Sequence, residues 1–141
     1  MADTVAEHLQ VKKGEKIAIA GTPEQRALLL PLPEGSAEAS ADEADAFFGF
    51  ATSLEQLHAD LAELLPQLGK TRVVWFGYVK GGKGELNRDI IANAVLEHGW
   101  RANGNRPIDD EWSAIRIRPL KPGEDAAALR LGKQPGDSLA S

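Results

Sequence analysis

The run Lys80-Gly81-Gly82-Lys83-Gly84-Glu85-Leu86-Asn87-Arg88-Asp89 places glycines and two lysines directly ahead of a stretch with helical spacing. Open backbone amides at a helix N-terminus and the positive end of the helix dipole hold anions, and Lys80, Lys83 and Arg88 add charge. Asn87 suits the N-cap, and Asp89 lies in the first turn, where the dipole favours a carboxylate. The run is not the phosphate loop G-x-x-x-x-G-K-[ST], because no Ser or Thr follows a Gly-Lys pair to hold magnesium, and it is not G-x-G-x-x-G. The chemistry it offers is the binding of a small phosphate or carboxylate. The competing reading is a surface turn whose glycines only permit tight geometry.

A second polar group, Asp109-Asp110-Glu111, precedes Trp112. Paired carboxylates hold metals or do acid/base work, and the simpler reading is a solvated turn. The sharper expectation is that Asp109 pairs with Arg88 or Arg116 and that Trp112 walls a shallow pocket, against ordinary edge-strand packing for Trp112. The candidate ligand-binding set is therefore Lys80, Gly81, Gly82, Lys83, Asn87, Arg88, Asp89, Asp109, Trp112 and Arg116, with no catalytic residue and no metal ligand. His8, His58 and His98 share no metal or catalytic spacing. Ser40, Ser53 and Ser113 lack a nucleophile-elbow context. The turn Ala20-Gly21-Thr22-Pro23 has one glycine where a dinucleotide or S-adenosylmethionine site needs several for close backbone approach, so no cofactor is expected.

The elements that must position these residues follow from periodicity. Residues 4 to 11 read as a short first helix, Lys16 to Ala20 as a strand, and Glu24 to Leu30 as one or two helical turns cut off by Pro31 and Pro33. Ala37 to Ser40 reads as a short edge strand, and Ala46 to Ala51 as a strand buried on both faces. Ser53 with Gln56 forms a capping-box pattern, and Leu54, Leu57, Leu61, Leu64, Leu65 and Leu68 recur at helical spacing. Arg72 to Val79 is apolar and rich in β-branched and aromatic types, which predicts a central strand. Leu86 and Ile91 stand as a hydrophobic staple around the Asn87 cap, and Gly99 ends that helix. Trp100 to Arg106 and Trp112 to Arg118 read as the last two strands. In the latter, Trp112, Ala114, Arg116 and Arg118 share one face and Ser113, Ile115 and Ile117 the other.

Crossover helices between successive strands imply an α/β, three-layer Rossmann-like domain, with a mostly parallel sheet and an antiparallel C-terminal hairpin adding edge strands. The expected boundaries are one domain over residues 1–118 and a C-terminal tail over 119–141, disordered or packed on a partner. In such sheets ligands sit beyond the carboxyl ends of the strands, so Gly21 to Pro23, Ala51 to Ser53 and Tyr78 to Asn87 should share one rim.

Composition bounds the function. A chain of 141 residues supports one core, and the absence of cysteine removes disulfides and thiolate chemistry and fits a cytoplasmic setting. No apolar run reaches membrane-span length, and the N-terminus lacks a basic leader, so no membrane association is expected. The net charge of −5 conceals an asymmetry: residues 1–69 hold 4 basic and 12 acidic side chains, and residues 70–121 hold 10 and 6. An acidic whole argues against nucleic acid as a partner, while the basic second half suits a local anion site.

The motifs K-G-G-K-G-x-L-N-R-D, H-G-W and I-D-D-E-W-S-A-I-R between Tyr78 and Arg118 resemble those of a family of small bacterial proteins carried as a domain of unknown function. That family is distantly similar to abbreviated class I methyltransferases without the glycine-rich cofactor turn. The resemblance implies the fold and the candidate residues, not a reaction. The reading is a non-enzymatic module binding a small anionic ligand or a protein partner. The alternatives are a minimal group-transfer enzyme of methyltransferase-like ancestry and a structural module forming a homodimer through its last strands.

Overall fold

The computed structural model describes residues 4–69, 71–80 and 86–129. In chain order the elements are α1 (Val5–His8), β1 (Lys16–Ala20), α2 (Pro23–Ala27), β2 (Ala37–Glu38), β3 (Ala46–Phe50), α3 (Leu54–Leu64) with a following 3-10 turn (Leu65–Gln67), β4 (Val73–Val79), α4 (Arg88–Leu96), β5 (Trp100–Pro107), β6 (Trp112–Pro119) and α5 (Ala126–Leu129). The six strands form one sheet in the order β2-β1-β3-β4-β6-β5. The first four are mutually parallel, and β6 runs antiparallel to both β4 and β5. This is the α/β Rossmann-like architecture the periodicity implied. One detail differs: β6 does not lie at the edge of the sheet but inserts between β4 and β5, leaving β5 outermost. Trp112 thus belongs to an interior strand.

Two apolar layers follow from the strand alternation. Phe47, Val74, Phe76, Tyr78, Ile115 and Ile117 face α3 and α4, where they pack against Leu57, Leu61, Ile91 and Val95. Ile17, Phe48, Phe50, Trp75 and Ala114 face the opposite way, under α1 and Leu29. Side chains of this size each stabilise the fold by about 1.5–3 kcal/mol on full burial. The helix α3 starts as expected, with Ser53 Oγ accepting from the Gln56 amide at 3.1 Å. The Gln56 side-chain oxygen goes instead to the amide of Thr52, at 3.0 Å, so the capping box is displaced by one residue. At α4, Asn87 Oδ1 accepts from the Ile90 amide at 2.9 Å, Leu86 and Ile91 are buried in one cluster, and Gly99 turns the chain with φ +80°.

The second face has little helical cover, and polar side chains hold its cover in place. The carbonyls at the end of α1 find no acceptor-matching donors within so short a helix, and the sheet supplies them. Trp75 Nε1 donates to Leu9 O at 2.8 Å, Arg106 to His8 O at 3.0 Å, and Arg72 to Gln10 O at 2.6 Å. Arg116 donates to the Gln10 side chain at 2.5 Å, and Gln10 adopts φ 72° at the turn where the helix stops. Beyond β6, Glu124 accepts from Arg101 at 2.7 Å and from Arg118 at 2.9 and 3.0 Å, which ties residues 120–129 back to β5 and β6. Residues 130–141 lie outside the described residues.

Arg72 also forks onto Glu15, at 2.9 and 2.5 Å, and this pair holds the Glu15 carboxyl below its usual 4.5, against an opposing effect of burial. A depressed folded pKa contributes stability that is present above about pH 4.5 and is lost as pH falls through the lower folded value. Arg72→Gln is therefore expected to be less stable than the parent protein at pH 6, with the gap narrowing by pH 3. Urea denaturation at the two pH values measures it, and a gap unchanged by acidification would exclude this account.

Candidate functional site

The carboxyl ends of β1, β3 and β4 point to one rim because the three strands are parallel. At the β4 end, an open pocket of about 390 Å³ lies between that strand, β6, β5 and the start of α4. Lys80, Asn87, Arg88 and Asp89 line it, as the sequence suggested, and Tyr78, Asn105 and Ser113 complete it. The Lys80 amide donates to Glu111 O at 2.8 Å, which extends the β4–β6 ladder by one residue and keeps Lys80 on the Tyr78 face. Tyr78 is the cross-strand partner of Ser113, and Asn105 stands opposite Ile115, one row further in on that face.

The hydrogen bonds leave a definite set of free groups. Tyr78 OH donates to Asn105 Oδ1 at 2.9 Å, and Ser113 Oγ donates to Arg106 O at 3.0 Å. Arg88 Nε meets Asp89 Oδ1 at 3.4 Å, so the one carboxylate of the lining already has a cation beside it. The Lys80 ammonium and the NH2 groups of Asn87 and Asn105 have no acceptor among the described residues. The first-turn amides of Arg88 and Asp89 have no acceptor within the helix either. Free donors outnumber free acceptors, and two of the side chains are cationic.

The remaining expectations divide. Gly81, Gly82 and Lys83 lie outside the described residues. Asp109 pairs with neither Arg88 nor Arg116: its Oδ1 accepts from the amides of Glu111 and Trp112, both at 2.8 Å, and it shapes the β5–β6 turn. Trp112 and Arg116 lie on the other face of the sheet, since period-two alternation sends Ser113 toward α4 and its neighbours away. Trp112 packs edge-on to Phe50, with centroids 5.5 Å apart at 85°, and Arg116 grips Gln10. Tyr78 was expected on this rim but not among the candidate residues, and Asn105 and Ser113 were missed. The alternation that put Ser113 with Ile115 and Ile117 was available to find Ser113, whereas Asn105 depends on the β5–β6 register.

The order of the sheet reverses at β1, between β2 and β3, where open α/β sheets form their crevice. A second hollow of about 440 Å³ lies there, bordered by Gly21, Thr22, Gln25, Phe50, Gln56 and Asp60. Thr22 and Gln25 close a reciprocal capping box, at 2.9 and 3.2 Å, which uses the amides of both residues. Burial pushes the Asp60 carboxyl above its usual value, partly offset by its hydrogen bond from Gln56. The Phe50 ring lies against Gly21 on one side and Gly77 on the other, so that a Cβ at either glycine would stand 2.8–2.9 Å from it. No group of three or more His, Asp or Glu side chains among the described residues converges on a metal position. No described helix is long and apolar enough to cross a membrane.

No protein-family model matches the sequence, and no curated protein matches it. Solved structures do share the fold. The chain is similar to a protein of the NADB-Rossmann superfamily from Streptococcus agalactiae, at 10% identity and TM-score 0.52 over 92% of this chain and 73% of that one. It is similar to a tRNA methyltransferase of B. subtilis, at 9% and 0.51 over 91% and 68%. A ribosomal-protein methylase from Lactobacillus delbrueckii subsp. bulgaricus aligns at 14% and 0.50 over 83% and 76%. At these identities the likeness establishes a Rossmann-like fold that methyltransferases also use.

In this crevice the Phe50 ring stands against both Gly21 and Gly77. Gly77→Ala should cost about 1–3 kcal/mol by forcing a Cβ against the ring, and the penalty should shrink in a Phe50→Ala background. A double-mutant cycle by chemical denaturation measures the coupling, and additive penalties would show that the ring does not require the glycine.

Proposed function

We propose that the protein binds a small, acceptor-rich anion in the pocket at the end of β4. The observation that carries this reading is the imbalance of valences in the lining: a lysine, an arginine, two free carboxamide NH2 groups and two first-turn amides face one carboxylate that already has its cation. Such a lining is left with unmet donors unless it holds phosphate or carboxylate oxygens, or water in their place. Lys80 and Arg88 attract and neutralise the charge, and the start of α4 orients it. The bound group needs no metal to be held there.

Inorganic phosphate and pyrophosphate are expected to raise the melting temperature in proportion to the logarithm of their concentration. Lys80→Ala with Arg88→Ala should reduce affinity by roughly tenfold or more, since each charge-assisted hydrogen bond contributes about 1.5–3 kcal/mol. Both side chains lie at the pocket mouth, so the double variant should keep the parent melting temperature without ligand. Absence of any shift for the parent protein at millimolar phosphate, pyrophosphate and citrate would reject the reading.

A second reading, group transfer of the methyltransferase kind, is supported by the fold shared with the tRNA methyltransferase and the ribosomal-protein methylase. It would use the crevice at β1 and β3 for the cofactor. Against it stand the single glycine of the first turn and the Phe50 ring beside it. Calorimetric titration with S-adenosylmethionine separates the two: no heat at millimolar ligand is the expected result, and saturable binding would make group transfer the better account.

A further inference from the structure

We infer that the ligand of the β4 pocket is a nucleoside monophosphate, with its phosphate at Lys80 and Arg88 and the edge of its base at Asn105. The inference rests on the anion reading above and adds the identity of the far end of the ligand. The pocket has two chemically different ends. Its mouth carries the charges. Its floor, Tyr78, Asn105 and Ser113, is neutral.

The floor is hydrogen-bonded internally. The Tyr78 hydroxyl donates to Asn105 Oδ1 at 2.9 Å, which leaves the carboxamide NH2 group to donate elsewhere. The hydroxyl protons of Tyr78 and Ser113 are both committed, the first to Asn105 and the second to Arg106 O, so each oxygen offers lone pairs only. One neutral donor beside two neutral acceptors matches a planar edge on which an acceptor and an N–H donor adjoin. The Watson–Crick edges of uracil, guanine and adenine all have that pattern. A bare phosphate or a simple carboxylate leaves it unused.

The spacing agrees. Lys80 stands two residues beyond Tyr78 on the same face, roughly 7 Å along the strand, and Asn105 lies one row further in. The row of Asn105 is therefore roughly 13 Å of strand from Lys80, a distance of the order that a pentose together with its base spans in a nucleotide. Asp89, engaged among the described residues by Arg88 at 3.4 Å, supplies an acceptor for a sugar hydroxyl. The volume of about 390 Å³ falls in the range of small-ligand sites.

The test is calorimetric titration of the full chain with inorganic phosphate, ribose 5-phosphate, and the monophosphates of uridine, guanosine and adenosine. At least one nucleotide should bind tenfold or more tightly than ribose 5-phosphate. Asn105→Ala should erase that advantage while leaving ribose 5-phosphate affinity unchanged. Tyr78→Phe, which frees the carboxamide to rotate, should reduce it in the same direction and serves as the second variant if Asn105→Ala misfolds. If ribose 5-phosphate binds as tightly as every nucleotide, base recognition is wrong and the anion pocket stands. If neither phosphate nor any sugar phosphate binds, both readings fall. A nucleotide advantage that survives both substitutions would remove Asn105 from the site and overturn the inference.

Discussion

The antiparallel ladder between β4 and β6, from Val74 opposite Ile117 to Val79 opposite Trp112, decides the face on which every nearby side chain falls. Alternation along a strand has a period of two, so a slip of one residue would exchange Ser113 for Trp112 beside α4 and remove the polar floor of the pocket. The register is held from both sides. Ile115 and Ile117 are buried against α4 and its neighbours, and Ala114 is buried against the opposite layer. Reversing the faces would expose two isoleucines and bury Arg116 more deeply, and each change is unfavourable. The back wall of the pocket is thus set by core packing.

Charge in the basic half of the chain is mostly spent on structure. Arg72 forks onto Glu15, Arg101 and Arg118 share Glu124, and Arg106 and Arg116 grip His8 and Gln10. These contacts fasten the two ends of the described chain onto the sheet, where no long helix covers it. Arg116 has its usual basicity lowered by burial first and by Arg72 and Arg106 second, and its Nε is buried without a partner, so its placement has an electrostatic cost. At the β4 end, by contrast, Lys80 has no carboxylate partner among the described residues. A net charge summed over sequence positions does not distinguish paired cations from unpaired ones.

The crevice at β1 and β3 and the pocket at β4 occupy the same rim but differ in chemistry. The first is bordered by threonine, glutamine, a carboxyl made less acidic by burial, and an aromatic ring seated between two glycines. The second is rich in cationic and amide donors. A shared fold with methyltransferases therefore does not choose between the two ends of the rim, because the fold supplies both positions and the side chains differ between them.

Local patterns were sufficient for the elements themselves. The leucine spacing of α3, the Asn87 cap with its Leu86 and Ile91 staple, the unalternating strands β3 and β4, and the split of β6 into two faces all follow from short-range rules of propensity and period, which act within a few residues. Lys80, Asn87, Arg88 and Asp89 could be placed together for the same reason, being neighbours along the chain. The insertion of β6 between β4 and β5 could not be read, since strand order is set by pairing between segments tens of residues apart. The side of β6 that meets α4 set Trp112 and Arg116 apart from the pocket and brought in Ser113, and the β5–β6 register brought in Asn105. Sequence by itself determined which residues lie on a common face of each strand; tertiary packing alone decided which face meets α4, because only the burial of Ile115 and Ile117 against that helix makes one orientation lower in free energy than the other.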